Sequence, residues 1–306
     1  MLSNTNQLEE TLEKLPAAAA EVLAQKLASG SFHGSLSAAE AQALAQQLDI
    51  TVQQLMIELL PFAVGYSIAP ISNYKVGAVS MGISGSLYFG ANMEFTGQAL
   101  SFSVHAEQAA TTNAWLQGET GLQSLAVTAA PCGYCRQFLY ELVTASTLQV
   151  YLQSGQSALL TTFLPDAFGP SDLGVTAGLM SPQNNGQILS PQNSDPVALA
   201  ALAAANASYA PYTKTFAGVA LQTGDGSIIQ GRYAENAAYN PSMSPMESAL
   251  VNLVLSGLDY DDITAAVLVE NDGPASQAAV TANVLTTVSQ VPLTVLALVS
   301  SASDPA

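Results

Sequence analysis

Basic side chains are scarce in this sequence. Six lysines and arginines stand against 23 aspartates and glutamates among 306 residues, which gives a net charge of -17. A protein this acidic repels phosphate backbones and anionic membrane surfaces at long range. The charge argues against a nucleic acid or a membrane as partner and favours a small, uncharged ligand. Acidity that serves only solubility, or a saline or cold habitat, is compatible with the same composition.

Cysteine and long apolar runs are also scarce. Two cysteines cannot form a disulfide framework, which favours a reducing compartment. The runs VALAALAAANA and PLTVLALVSS are too short and too interrupted to span a bilayer. The N-terminal MLSNTNQLEETLEKL lacks the basic and apolar regions of a signal peptide. We therefore expect a cytoplasmic protein that does not enter a membrane.

The sequence has enough apolar residues, 49% of the total, to build one large domain or two ordinary ones. Residues 1–50 have helical patterns, with Ser37 three residues before Glu40 in the spacing of a capping box. One further helix is expected from Thr51. KVGAVSMG and LYFGANMEF, on either side of a Gly/Ser turn, then predict a β-hairpin.

A regular alternation follows the hairpin. A helix ending near Gly118 precedes the strand SLAVTAA, the helix PCGYCRQFLYELV and the strand QVYLQS. The order of helix, hairpin, helix, strand, helix and strand predicts an α/β fold, a mixed sheet with helices packed on it.

The second half of the chain repeats the first. Three glycines and a glutamate match at one constant offset: Gly77, Gly85, Gly90 and Glu94 fall on Gly218, Gly226, Gly231 and Glu235. A one-residue gap then places Pro245 on His105 and Glu247 on Glu107. Since no cysteine lies near the positions that match Cys132 and Cys135, we expect the repeat to be degenerate.

These patterns divide the chain into four parts. Residues 1–50 form a small N-terminal helical region, and residues 51–152 form the domain that holds the histidine and the cysteines. Residues 153–193, rich in Pro, Gly, Ser, Asn and Gln, are expected to be a long connection. Residues 194–306 are the degenerate repeat.

The residues suited to chemistry gather in HAE and PCGYC. His105 is one of two histidines, and Cys132 and Cys135 are the only cysteines. An imidazole and two thiolates match the three protein ligands of a catalytic zinc, whose fourth position is left for water. Pro131 can end a strand and open a helix, so that both thiols lie in the first helical turn, where thiolates are stabilised. The sequence therefore predicts one Zn²⁺ per chain.

Spacing alone leaves other interpretations open. A Cys-x-x-Cys can be a redox pair or half of a structural zinc site, with His33 as a further ligand, and His105 can be an unliganded core histidine. Glu107 favours catalysis, because H-x-E…P-C-x-x-C is the signature of zinc deaminases, in which the glutamate carries protons. Arg136, beside Cys135, could draw negative charge from the thiolates or could simply be a surface arginine.

These motifs resemble a known family. GANMEF, VHAEQAA, NAWLQGE, PCGYCRQFLYEL, LPDAFGP and YAENAAYNP together are similar to the two-domain, homodimeric cytidine deaminases of bacteria. The resemblance covers nearly the whole chain. It implies a duplicated three-layer α/β/α fold with a catalytically silent second half. It also implies pyrimidine salvage, the hydrolytic deamination of cytidine and 2'-deoxycytidine, with zinc hydroxide attacking C4 and Glu107 as proton shuttle.

The resemblance implies residues that bind the sugar and the base. Asn92 and Glu94 match the pair that binds the ribose, and Tyr74 stands where the family has a phenylalanine near the pyrimidine. The backbone of Ala106 would hold the pyrimidine carbonyl, and the carbonyl of Ala130 would accept from the departing amine. On the residues alone, Tyr74 could also be a core aromatic and Glu94 a solvated carboxylate at a strand end.

Two aromatics are implied to act across a dimer. Phe168 and Tyr239 match residues that the partner subunit contributes to the site in this family, although Phe168 could also be a core aromatic. Two rival functions remain: a deaminase of a polynucleotide, nucleotide or free base, and a non-catalytic zinc- or nucleoside-binding protein. The net charge and the pair Asn92 and Glu94 count against the first. Glu107 counts against the second, since a binder needs no proton shuttle.

Overall fold

Capping side chains and prolines set the helices of the N-terminal part. The computed structural model describes residues 4–190 and 192–300. The first helices are α1 (Asn4–Leu12), α2 (Ala17–Ala28), α3 (Ala38–Gln47), α4 (Val52–Glu58) and α5 (Leu60–Val64). Ser37 caps α3 with Glu40, and Thr51 caps α4 with Gln54, each pair exchanging hydrogen bonds. Pro61 has no N–H to donate, so the one helix expected from Thr51 is divided into α4 and α5.

The first sheet is mixed, as the order of elements predicts. Its strands are β1 (Ser35–Leu36), β2 (Gly77–Gly82), β3 (Leu87–Ala91), β4 (Leu122–Val127), β5 (Gln149–Leu152) and β6 (Ser157–Leu159). They lie in the order β1-β3-β2-β4-β5-β6, with β4 and β5 parallel and the other neighbours antiparallel. Its helices are α6 (Ala106–Leu116), α7 (Gly133–Tyr140) and α8 (Leu160–Phe163).

Glycines allow helices to lie close on both faces of this sheet. A Cβ on Gly77 would come 2.6 Å from the backbone nitrogen of Val64 in α5, and one on Gly90 would come 2.1 Å from that of Ala110 in α6. Ala78, the neighbour of Gly77, pairs with Gly90, so the two glycines face opposite sides of the sheet. Helices α5 and α6 therefore cover opposite faces, which gives the three-layer α/β/α arrangement.

The second sheet repeats this arrangement. Its elements are β7 (Gln187–Ser190), α9 (Pro196–Asn206), β8 (Ala217–Thr223), β9 (Ile228–Arg232), α10 (Pro245–Leu255), β10 (Ile263–Asn271), α11 (Ala278–Val288) and β11 (Leu293–Ser300). The strand order is β7-β11-β10-β8-β9, with β10 and β11 parallel. Gly218 and Gly231 approach the backbones of α9 and α10 as closely as Gly77 and Gly90 approach α5 and α6. The predicted duplication is confirmed.

The predicted superposition of the two helix starts is wrong by one residue. The chain takes 11 steps between the bridged residues Met93 and Val104, but nine between Ala234 and Met243. The gap is therefore two residues and not one. Gly90 packs on Ala110 and Gly231 on Ala249 in the same way, which fixes the alignment of α6 and α10.

The corrected alignment changes which residues replace the metal ligand and the proton shuttle. Ser244, not Pro245, occupies the position of His105, and Met246, not Glu247, that of Glu107. Glu247 corresponds instead to Gln108: both accept from the backbone N–H of the residue before the helix, at 3.1 Å.

The chain divides into two compact units, one around each sheet. The first runs to Ser181 and also holds Val254–Asp259, and the second holds Pro182–Leu253 and the chain from Tyr260 onward. The connection expected at 153–193 contains regular structure, because β6 joins the first sheet and β7 the second. Within the described part of the chain, no helix is long and apolar enough to cross a membrane.

Candidate active site

Two helix N-termini bring the predicted metal ligands together. His105 directly precedes α6, Cys132 directly precedes α7, and Cys135 lies in the first turn of α7. The Nδ1 atom of His105 lies 3.5 Å from the sulfur of Cys132 and 3.2 Å from that of Cys135. The candidate donor atoms of the three side chains all lie within 4.8 Å of one another. One metal ion can therefore contact all three.

The hydrogen bond between the two thiols favours a thiolate on Cys132. That bond lowers the pKa of Cys132 to about 5, although burial opposes ionisation. The same bond, together with burial, raises the pKa of Cys135. Arg136 donates to the carbonyls of Pro131 and Phe163, each at 2.8 Å, and therefore ties the start of α7 to α8.

Glu107 lies beside this cluster, in the first turn of α6, and is only 4% exposed. Its carboxyl group hydrogen-bonds with the Cys135 thiol. Burial raises the pKa of Glu107, and the hydrogen bonds and the nearby His105 offset this only in part. A carboxyl group with a raised pKa accepts a proton more readily in its ionised form and is therefore suited to exchange protons with a substrate.

A cavity of about 400 Å³ adjoins the cluster and brings most of the predicted site residues together. Predicted residues in its lining are Tyr74, Asn92, Glu94, His105, Ala106, Glu107, Ala130 and Cys132. The sequence did not single out the others, which are Ser72, Val76, Leu100, Ser103, Val104 and Ala129. Their only signal in the sequence is proximity to predicted residues: Ser72 stands two positions before Tyr74, and Val104 directly precedes His105.

The predicted ribose pair is held by dense hydrogen bonding. The Oδ1 of Asn92 accepts from the Ser67 hydroxyl at 2.6 Å and from the N–H of Val76 at 2.8 Å. Glu94 accepts from two backbone N–H groups, at 2.8 and 3.0 Å, and from the Ser72 hydroxyl. Burial opposes the ionisation of Glu94, but these hydrogen bonds outweigh it and hold its pKa below the ordinary value. Glu94 is therefore an acceptor.

The three predicted aromatics are exposed. Tyr74 lines the cavity and is 63% exposed, so the alternative of a core aromatic is wrong for it. Phe168 and Tyr239 are 49% and 65% exposed, and the structure places neither in the lining of the cavity. The core alternative is therefore wrong for Phe168 as well.

Comparisons with known proteins agree with this geometry. Residues 50–151 match the model of the cytidine and deoxycytidylate deaminase zinc-binding region, and residues 160–282 match a second model of the same description. The cytidine deaminase of Vibrio cholerae is 43% identical over 295 residues, 96% of this chain and 99% of the relative. The chain belongs to the cytidine deaminase family. The cytidine deaminase of Aeromonas hydrophila is 55% identical over 224 residues, 73% of this chain and 76% of the relative.

Solved structures of cytidine deaminases match a smaller part of the chain. The cytidine deaminase of Mycobacterium tuberculosis is 28% identical over 38% of this chain and 97% of its own, with a TM-score of 0.36. That of Burkholderia pseudomallei is 31% identical over 38% of this chain and 98% of its own, with a TM-score of 0.35.

Zinc is the cofactor of this cytidine deaminase, and the residues present fit it. One nitrogen and two sulfur donors form the ligand type that zinc prefers, and three ligands leave one position open. His105 and Cys132 line the cavity, so an open position can face it.

Proposed function

We propose that the chain hydrolyses cytidine and 2'-deoxycytidine to the corresponding uridines and ammonia, in pyrimidine salvage. The observation that carries the proposal is the buried carboxyl group of Glu107, which lies between a three-donor zinc cluster and a cavity of nucleoside size. Residues 51–152 would hold the catalytic site, and residues 194–306 would be a non-catalytic repeat.

His105, Cys132 and Cys135 would hold the zinc. Bound there, it would supply a Lewis acid that lowers the pKa of a water molecule to near neutrality. Glu107 would take one proton from the attacking water and deliver it to N3 of the base as the water oxygen bonds to C4. It would then move the remaining proton of that oxygen to the amino group, so that C4–N breaks, C4=O forms and ammonia leaves. One carboxyl group performs both transfers because it lies next to the ligands.

The protein would orient the base with backbone groups at the ends of two elements. Ala106, the first residue of α6, and Ala130, just before the cysteines, both line the cavity. A free N–H in the first turn of α6 is suited to the pyrimidine carbonyl. The carbonyl of Ala130 is suited to accept from the amino group.

Glu94 would recognise the sugar by its hydroxyl. A carboxylate offers about four acceptor positions, and three donors of the protein already contact Glu94. The remaining position accepts from a ligand hydroxyl, which free cytosine lacks. Asn92, whose amide binds Ser67, Val76 and the Tyr74 carbonyl, would hold the cavity wall that carries Glu94.

A second copy of the chain would complete the cavity. Leu100 and Tyr74 line it although they are 72% and 63% exposed, so apolar surface surrounds its opening. We propose a cytoplasmic homodimer in which Phe168 and Tyr239 of one protomer cover this surface on the other. Their exposure in the single chain supports that arrangement.

An ultraviolet assay tests the proposal. Cytidine and 2'-deoxycytidine should be converted, while cytosine, CMP and single-stranded DNA should be poor substrates. Faster turnover of cytosine, CMP or single-stranded DNA than of the nucleosides would identify that compound as the substrate instead. Binding of cytidine without turnover by the zinc-loaded chain would favour a non-catalytic binding protein.

A further inference from the structure

Ser72 joins two residues of the cavity wall through one hydroxyl group. Its hydroxyl donates to a carboxylate oxygen of Glu94 and accepts from the backbone N–H of Tyr74 at 3.0 Å. Its own N–H donates to the other oxygen of Glu94 at 3.0 Å. Ser72, Tyr74 and Glu94 all line the cavity. The rotamer of Glu94 and the backbone position of Tyr74 therefore depend on the same side chain.

The second half of the chain contains the same network. The Thr213 hydroxyl donates to Glu235 and accepts from the N–H of Thr215 at 3.0 Å, and the Thr213 N–H donates to Glu235 at 3.2 Å. The middle residue of each loop is left-handed, with φ of 56° at Asn73 and 58° at Lys214. A lysine rarely adopts a left-handed conformation. The hydrogen bonds of Thr213 therefore hold the second loop although Lys214 has no preference for this backbone geometry.

This repetition shows that the network forms independently of a metal cluster. The second half has Ser244 and Met246 in place of His105 and Glu107, yet its loop is built in the same way. The hydrogen bonds are therefore a property of the loop itself. In the first half, the same loop carries Ser72 and Tyr74, which both line the cavity.

We propose that Ser72 is a positioning residue for nucleoside binding, acting through Glu94 and Tyr74. The inference rests on the proposed function. Ser72 fixes the carboxylate of Glu94 so that its free acceptor position faces the sugar, and it fixes the Tyr74 backbone so that the ring stays at the cavity wall. Loss of the hydroxyl leaves Glu94 held only through one oxygen, by the N–H groups of Ile71 and Ser72, and leaves the Tyr74 N–H without its acceptor.

Three variants test this inference. Ser72→Ala removes the hydroxyl, and Ser72→Thr keeps it in the form that the second half uses at Thr213. The matched control is Ser84→Ala, because Ser84 is also exposed and donates its hydroxyl and N–H to Glu119, but lies outside the cavity. Ser72→Cys, which keeps the size and weakens the donor, serves as the second variant if Ser72→Ala folds poorly.

The readouts are KM, kcat, zinc content and the equilibrium binding of uridine. For Ser72→Ala we expect KM for cytidine and Kd for uridine to rise by about 10-fold, with kcat and zinc content within about twofold of wild type. Ser72→Thr and Ser84→Ala should behave as wild type, and Ser72→Cys should lie between. Unchanged KM and Kd in Ser72→Ala, or an equal rise in Ser84→Ala, would overturn the inference. Absence of cytidine turnover in wild type would instead refute the proposed function, and uridine binding would still decide the role of Ser72.

Discussion

Glu94 and Glu107 share one cavity but have different surroundings. Three protein donors stabilise the ionised form of Glu94, whereas burial stabilises the neutral form of Glu107. The first is suited to hold a hydroxyl throughout the reaction, and the second to gain and lose a proton. The environment, more than the residue type, therefore separates binding from proton transfer.

The contacts of Glu94 give a prediction for the sugar. Glu94→Ala should raise KM for cytidine by about 5- to 150-fold. The sugar hydroxyl would then lie in the cavity without its acceptor, and an unpaired buried polar group costs ~1–3 kcal/mol. Cytosine, which has no sugar hydroxyl, should remain as poor a substrate as for wild type. Steady-state kinetics with both compounds measure this. If the variant treats cytidine as wild type does, Glu94 does not bind the sugar.

Residue chemistry made the metal cluster predictable, since the chain has only two cysteines and two histidines, and only His105 has the H-x-E spacing to a glutamate. The contacts of Glu94 and Asn92 with the loop before β2 were not predictable, because hydrogen bonds between distant segments leave no periodic pattern. Ser72 was missed for the same reason. A lone serine in a loop has no sequence signature.

At the scale of elements, the placement of α6 sets the positions of His105 and Glu107, and Gly90 allows it. Gly90→Ala should lower the apparent free energy of unfolding by ~1–3 kcal/mol and also reduce turnover, because a Cβ would force β3 and α6 apart. Gly224→Ala, directly after β8 and away from the metal ligands, is the control, since no atom lies nearer than 4.0 Å to its Cβ and its φ is not positive. Urea unfolding and activity measure both variants. Equal stability of the two variants would show that α6 can shift without cost.

The start of α10 gives a prediction for pH. Burial raises the pKa of Glu247 from 4.5 to about 7, although hydrogen bonds with Ser244 oppose this. Between these values the folded chain binds more protons than the unfolded chain, so stability falls as pH rises and levels off above 7. Between pH 4.5 and 7, the free energy of unfolding is expected to fall by about 3 kcal/mol through Glu247.

Glu247→Gln provides the comparison, because Gln108 already caps α6 in that way. The difference in unfolding free energy between variant and wild type should grow in favour of the variant from pH 4.5 to 7. A difference that stays constant across this range would show that Glu247 titrates normally.

The helix starts also show where pattern matching reached its limit. Identity of residue type favoured aligning Glu247 with Glu107. The structure instead aligns Glu247 with Gln108, because each accepts a hydrogen bond from the N–H of the residue that caps its helix. The glycines were the better guide, because Gly77, Gly90 and their counterparts mark close approaches between strand and helix, and Gly85 and Gly226 adopt positive φ in the hairpin turns. Strand β7 was hidden by the polar composition of its surroundings.

For the whole molecule, the duplication provides two sheets, but among the described residues only His105, Cys132 and Cys135 form a cluster that can hold a metal. Both cysteines lie in the first half, so metal analysis should find one zinc per chain. The exposed Phe168 and Tyr239 fit a dimer in which each cavity uses residues of both chains.

A mixing experiment tests this dimer. Glu107→Gln chains and Phe168→Ala chains should each be weakly active alone. After subunit exchange, heterodimers should recover activity, because one of their two cavities then has both an intact Glu107 and an intact Phe168. Exchange can be verified with differently tagged chains. If exchange is complete and activity stays at the level of the parents, each cavity is built from one chain.

The turnover of cytidine by Glu107→Gln, with its zinc content determined in parallel, tests the proton-shuttle role of Glu107 most directly. We expect one zinc per chain, a thermal midpoint no lower than that of wild type and a fall in kcat of ~10²–10⁴-fold, the usual contribution of general acid–base catalysis. A zinc-loaded variant that deaminates cytidine at nearly the wild-type rate would contradict the role of Glu107.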